Sequence, residues 1–391
     1  MGIVVTGVGV VSALGIGVDQ NLAAIRRGES GISASPSILQ TSNQLPVGEL
    51  RISNEELHQR LGISPKEHLS RTALLGILAV KEAMACADID FSKRIGLVSS
   101  TSVGGMDLTE HFFESFMEDD TTGRLRDVRM HDCAASTEAI ARHCGINGYR
   151  TTISTACSSA ANAVIAGAKL LKHNIVDYVV VGGSDALSAF TLNGFKSLMI
   201  LDQKPCRPFD ATRAGLNLGE GAGYIVLQRE QDADNYYCRL GGCSNRNDAH
   251  HQTASSSEGN GAFLAMSEAL QMAGLAPEQV SYINAHGTGT GNNDASESAA
   301  FVRLFGDKMP PFSSTKGFTG HTLAAAGGVE AVFSVLAIKL GCRFPNLNFT
   351  TPIPEYGLIP VSTFEEGVEV DSVMTNSFGF GGNCSSLLFT R

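Results

Sequence analysis

Short apolar runs rich in β-branched residues alternate along this chain with longer runs of helical spacing, and that alternation constrains the fold most. Candidate strands fall at 2–6, 95–101, 151–155, 178–182, 223–227, 236–241, 280–285, 373–376 and 385–390. Several lack polar alternation, as strands covered on both faces do. Between them, 158–172 is alanine-rich and apolar on most sides. Residues 262–273 place Phe263, Met266, Leu270 and Ala273 at helical spacing, and Gly274 suits the stop. Residues 329–340 are apolar nearly all round and end at Gly341, which predicts a buried helix. Alternating strands and helices give the α/β class. The pattern restarts after a polar stretch at 245–261, expected to be a surface loop. The chain therefore divides near residue 240 into two α/β halves, 1–240 and 241–391.

Composition then removes several classes of function. The chain is 43% hydrophobic and 17% charged, which excludes a disordered polymer. A formal net charge of −10 argues against duplex nucleic acid as the main partner. The opening Met1-Gly2-Ile3-Val4-Val5 has no basic region, so no signal peptide is expected. No apolar run reaches the roughly 20 residues of a membrane helix, so no membrane insertion is expected. Nine scattered cysteines with no CxxC pair suit a reduced, cytoplasmic protein. Cys238, Cys243 and the pair His250-His251 are not at ligand spacing, so no structural metal is expected. Gly7-Val8-Gly9 lacks the third glycine of a dinucleotide fingerprint.

Four segments carry candidate chemistry. In Thr155-Ala156-Cys157-Ser158-Ser159 an apolar strand runs into a cysteine and a helix begins directly after it. Unpaired N–H groups and the helix dipole would favour a thiolate there. The residues alone leave two readings open, a nucleophile or an inert buried thiol. Ala285-His286-Gly287-Thr288-Gly289-Thr290 delivers a histidine to a strand end, where α/β sheets bind ligands. Asp294 and Glu297 follow three residues apart, placed to cap or neutralise. Lys316-Gly317-Phe318-Thr319-Gly320-His321 sets a lysine near an imidazole in a segment poor in other charge. Phe378-Gly379-Phe380-Gly381-Gly382 combines close backbone approach with two aromatic rings that are either gates or core.

Taken in order, these segments resemble the β-ketoacyl-[acyl-carrier-protein] synthases of the thiolase-like superfamily, elongating synthase I/II type. Val4-Val5-Thr6-Gly7-Val8-Gly9, Arg207-Pro208-Phe209-Asp210 and Gly219-Glu220-Gly221-Ala222-Gly223 belong to the same resemblance, which spans the chain. It implies an α-β-α-β-α sandwich of two similar halves, each with a five-stranded sheet. It implies decarboxylative Claisen condensation of a cysteine-bound acyl chain with malonyl-carrier, in fatty acid, polyene or polyketide-type synthesis. By match, Cys157 is the nucleophile and His286 and His321 the catalytic pair. Lys316 is expected near His321 with Glu297 as its counter-ion, and Asp294 as structural support. The N–H groups of Cys157 and Phe380 match an oxyanion site. Phe380 and Phe378 match a gate, and Thr288 and Thr290 match hydroxyls on the pantetheine arm.

No cofactor is implied beyond the 4′-phosphopantetheine of the acyl carrier protein. The expected partners are that acidic carrier, docking on Lys66, Arg71, Lys204 and Arg213, and a second subunit. The second subunit is expected to be a copy of this chain, with a related synthase-like chain as the alternative. Segment 119–148 matches the family poorly, which leaves acyl length unspecified. A degradative thiolase would need a second reactive cysteine, for which only Cys384 lies near the end. The chalcone-type branch would have Asn in place of His321. A cysteine hydrolase leaves Lys316 unexplained, and an inactive scaffold leaves Cys157 unexplained.

Overall fold

The computed structural model describes residues 2–391. The first half contributes β1 (Ile3–Ser12), β2 (Ile95–Ser100), β3 (Arg150–Ile153), β4 (Tyr178–Asp185) and β5 (Gly221–Arg229). The second contributes β6 (Cys238–Asn247), β7 (Tyr282–Asn284), β8 (Phe312–Ser313), β9 (Ser372–Gly379) and β10 (Asn383–Thr390). In space the first set runs β3-β2-β4-β5-β1 and the second β8-β7-β9-β10-β6. Each half therefore repeats one order: third, second, fourth, fifth, first. Strand directions repeat as well. β2 is parallel to β3 and β4, while β5 is antiparallel to β4 and β1. β7 is parallel to β8 and β9, while β10 is antiparallel to β9 and β6. The two sets join where Val4 pairs with Arg239 and Val5 with Cys238, which makes one continuous sheet.

The main helices are α1 (Arg71–Cys86), α2 (Met106–Glu118), α3 (Ser159–Lys172), α4 (Ala189–Ser197), α5 (Asn260–Ala273), α6 (Gly291–Phe305) and α7 (Ala326–Leu340). Three hydrophobic clusters fill the four interfaces between five layers, the central one serving both inner interfaces. α1 covers the outside of the first sheet, with Ala79 and Val80 against Val11, Tyr224 and Val226. α5 and α6 cover the outside of the second, with Met266 and Phe301 against Ile283 and Leu388. α3 and α7 lie between the sheets, where Val164 and Val332 meet Val8, Val181, Val373 and Phe389. Each fully buried valine, leucine, isoleucine, methionine or phenylalanine among them contributes about 1.5–3 kcal/mol.

β1 runs to Ser12, well past the expected end at residue 6. Gly7 and Gly9 do not break the strand; they admit α1. A Cβ on Gly7 would lie 2.0 Å from Ala83 O, and one on Gly9 2.0 Å from Ala79 O. Most of the 245–261 stretch is the expected loop, over residues 248–259, while its ends are taken up by β6, which continues to Asn247, and α5, which starts at Asn260. Leu323–Leu340 is long and apolar enough to cross a membrane, although no such run was expected, because Glu330 and Lys339 interrupt it. It is 89% buried inside the protein, as the central helix of the sandwich.

Candidate active site

Cys157 sits in the turn between β3 and α3. Ala156 takes a left-handed φ of 51°, which throws the next side chain out of the strand line. The turn is stitched by its own serines: Ser158 Oγ donates to Thr155 O at 2.8 Å, and Thr155 N–H donates to Ser159 Oγ at 2.8 Å. The sulfur is buried, at 7% exposure. Burial pushes the thiol up to about 11, against the opposing pull of Lys316 and of the Phe380 and Cys157 backbone N–H groups. Burial thus opposes the thiolate that the helix start and the nearby N–H groups favour. The two N–H groups nonetheless face the sulfur. Gly379 allows this approach, since a Cβ there would lie 3.0 Å from Cys157 N and from Thr155 O.

His286 follows β7. Its N–H and that of Gly287 each donate to the Glu297 carboxylate at 2.9 Å, and Asn376 Nδ2 donates to the same group at 3.2 Å. Asp294 accepts from Phe209 N–H at 2.8 Å and from Gly289 N–H at 3.2 Å. These two acids, one turn apart on α6, clamp the 286–289 backbone. Lys316, 2% exposed, donates to His286 O at 2.6 Å, to His286 Nδ1 at 3.2 Å and to Glu330. Two expectations are corrected here. The counter-ion of Lys316 is Glu330 on α7, because Glu297 is committed to backbone N–H groups on the other side of the loop. The imidazole Lys316 contacts is His286, so that its field, without a hydrogen bond, is what reaches His321.

His321 receives the N–H of Leu323 on Nδ1 at 3.1 Å. Both imidazoles are held well below their ordinary value, by burial first and then by the Lys316 charge. Both are therefore neutral, and with each Nδ1 occupied as an acceptor each ring carries its proton on Nε2. The rings stand edge to face with centroids 5.4 Å apart. One ligating atom each of Cys157, His286 and His321 falls within 4.8 Å of the others. A metal would need the Nε2 lone pairs, which this hydrogen bonding turns into N–H donors, so the donor set does not fit an ion.

These three residues line a cavity of about 180 Å³ together with Thr288, Thr290 and Phe380. The threonine hydroxyls are 2.9 Å apart. Phe380 is half-buried and stacks on Phe195 at 6.1 Å, between Gly379 and the left-handed Gly381. Phe378 is buried against the His286 ring at 5.8 Å. His251 also lines the cavity, and among the described residues no Lys or Arg does. Cys384 also lines the cavity; it is buried, and burial pushes its thiol up to about 12.

Of the docking candidates, Lys66 and Lys204 are exposed. Arg71 is not available. It is 4% exposed and forks onto Glu220 at 2.7 and 2.9 Å, with further donation to Leu50 O and Ile52 O. Arg213 spends its guanidinium on the carbonyls of Asp210, Thr290 and Gly291 beside the cavity. Glu330 was missed by sequence reasoning, although a lone carboxylate in an otherwise apolar helix was a signal. Asn284 and Thr375 carry buried polar side-chain atoms without partners among the described residues, as does Glu330 Oε2.

Residues 1–233 match the family described as beta-ketoacyl synthase, N-terminal domain, and 237–350 match beta-ketoacyl synthase, C-terminal domain. The chain is 32% identical over 410 residues to 3-oxoacyl-[acyl-carrier-protein] synthase 2 of Staphylococcus aureus (strain COL), covering 100% of this chain and 98% of the relative. Among solved structures it is similar to the ishigamide ketosynthase/chain length factor, with TM-score 0.94, 28% identity and 100% and 99% coverage. It is also similar to a ketosynthase in complex with its chain length factor from Xenorhabdus doucetiae, with TM-score 0.88, 32% identity and 100% and 98% coverage.

Proposed function

Since the chain belongs to the β-ketoacyl synthase family, we propose that its cavity performs each step of a 3-oxoacyl-[acyl-carrier-protein] synthase with the residues described above. The enzyme is an acyltransferase that condenses a cysteine-bound acyl chain with malonyl-carrier and lengthens it by two carbons. The observation that carries the assignment of roles is the convergence of Cys157, His286 and His321 at one cavity wall.

Cys157 attacks the acyl thioester of the first carrier. The C–S bond to the carrier breaks, and the proton that Cys157 gives up ends on the departing pantetheine thiol. The N–H groups of Cys157 and Phe380 hold the oxyanion of that step and of the later one. Malonyl-carrier then loses CO2, and the electron pair of the broken C–C bond moves onto the thioester as an enolate. Two neutral Nε2–H donors suit that developing charge, and one such donor is worth about 2.7–4 kcal/mol. A protonated imidazole is not required, which agrees with the depressed values of both rings. The enolate carbon attacks the acyl-Cys157 carbonyl, and the resulting oxyanion collapses with cleavage of the C–S bond to Cys157. The 3-oxoacyl chain leaves on the carrier, and the Cys157 sulfur regains a proton from solvent. No metal or redox group enters this scheme; for the metal, that reading is supported by the occupied Nδ1 atoms of His286 and His321.

The carrier reaches the cavity by its pantetheine arm past Phe380, with Thr288 and Thr290 along the way. Lys66 and Lys204 remain as docking residues. For the second subunit we favour a related chain-length-factor-like partner in the cytoplasm over a second copy of this chain, on the likeness to ketosynthase and chain length factor structures. α2 offers such a partner Phe113 and Met117, 57% and 67% exposed. An inactive scaffold would have no use for the intact trio.

The test is mass spectrometry on purified protein given acyl-carrier and malonyl-carrier. An acyl adduct on Cys157 and a product two carbons longer are expected. Folded protein that gains no adduct from any acyl-carrier would remove the reading.

A further inference from the structure

Asp185 closes β4 and is fully buried, at 0% exposure. Its carboxylate gathers donors from two distant segments. Thr101 Oγ1 and the N–H groups of Ser102 at 3.0 Å and Val103 at 3.4 Å come from the loop after β2. The N–H of Ala324 comes from the other half of the molecule, at 2.8 Å. The neighbouring N–H, that of Leu323, is the one that occupies His321 Nδ1. Leu323 has a left-handed φ of 53°, a state that persists in a non-glycine residue only where its surroundings hold it. The far side of the Ala324 peptide is held too, since Ser100 Oγ donates to Ala324 O at 3.4 Å. Gly183 leaves the space for this, as a Cβ there would lie 3.1 Å from Ala324 O.

We propose that Asp185 is a positioning residue that fixes the place and tautomer of His321 relative to Cys157. The half that carries Cys157 grips the turn of the half that carries His321, and Asp185 is the charged part of that grip. It touches no substrate. Its effect is read through the donor that His321 presents to the enolate, so the kinetic part of the proposal rests on the condensation reading above.

The test is Asp185→Asn in the full chain, with 15N-histidine labelling and His321 assigned by its loss in His321→Gln. In the native protein His321 gives the signature of a single Nε2–H tautomer. In Asp185→Asn that signature moves toward a mixture of tautomers. Malonyl-carrier decarboxylation falls roughly 10- to 100-fold in kcat with KM little changed, while acyl transfer to Cys157 stays within about twofold. An unaltered His321 signal in a folded variant overturns the proposal, as does an equal loss in both half-reactions. If native protein decarboxylates nothing yet the tautomer shift occurs, the condensation reading fails and the positioning role stands. Should Asp185→Asn not fold, Thr101→Val removes one donor to the same carboxylate. A smaller shift of the same His321 signal then supports the proposal, and none overturns it.

Discussion

Lys316 and Glu330 form a buried ion pair at 2% and 3% side-chain exposure, so each is tolerable only because of the other. Glu330→Leu leaves a buried cation with no counter-charge, and urea unfolding should show a loss of about 3–5 kcal/mol. The double variant Lys316→Met, Glu330→Leu should recover most of that stability and still fail to decarboxylate malonyl-carrier. Cys157 gives a second test at this scale. With its thiol pushed up to about 11, alkylation by iodoacetamide should keep rising from pH 7 to pH 10 without a plateau. A plateau near pH 8 would mean that the local N–H groups and Lys316 outweigh burial after all. Cys157, His286, His321 and Lys316 stood out in the sequence as candidates, and the structure brings the first three around one cavity, with Lys316 against His286; the partners of Lys316 were not legible. Glu330 and the fate of Arg71 were not. Arg71 meets Glu220 across 149 residues, and no spacing rule reports a contact of that range.

Elements were legible as types and less so as lengths. The apolar runs located β2, β4 and β5, whereas the two residues of β8 are too few to show a period. Glycine was the main source of error, because in this fold it marks where one backbone lies against another. A Cβ on Gly223 of β5 would lie 2.2 Å from Val329 N on α7. Gly223→Ala must therefore push strand from helix, and a loss of about 1–3 kcal/mol, or insoluble protein, is expected on expression and thermal unfolding. Gly379→Ala is milder. Its Cβ presses on the Cys157 turn, so the rate of acyl-Cys157 formation should drop about tenfold or more by mass spectrometry, with Tm little changed.

At the scale of the molecule, burial raises several carboxyls together. Asp107 and Asp185 reach about 6, and Glu297 and Glu330 about 7. A carboxyl raised by folding binds its proton more readily in the folded chain. Its stabilising contribution is present below the ordinary carboxylate range and is lost as pH climbs from about 4 to the folded value. Asp177, which Arg94 holds far below that range, contributes a constant amount across the same window. The buried His286 and His321 act in the opposite direction, because their depressed values add stability as pH rises through the ordinary histidine range. With four raised carboxyls set against two histidines, the thermal midpoint should still be higher at pH 5.5 than at pH 8, and Glu297→Gln should flatten that fall; an unchanged slope in Glu297→Gln would contradict the raised value of Glu297. The duplicated strand order was the part of the fold least visible in the residues. What repeats is the order and direction of the strands, and packing tolerates many apolar sequences on one such frame.

That duplication has a practical corollary. The backbone passes from one half to the other through the largely exposed residues 231–236, and none of them lines the catalytic cavity. The crossing brings no side chain to the cavity: a protease nick there should yield a two-fragment enzyme that stays assembled and turns over, whereas either fragment made by itself holds only part of the reaction.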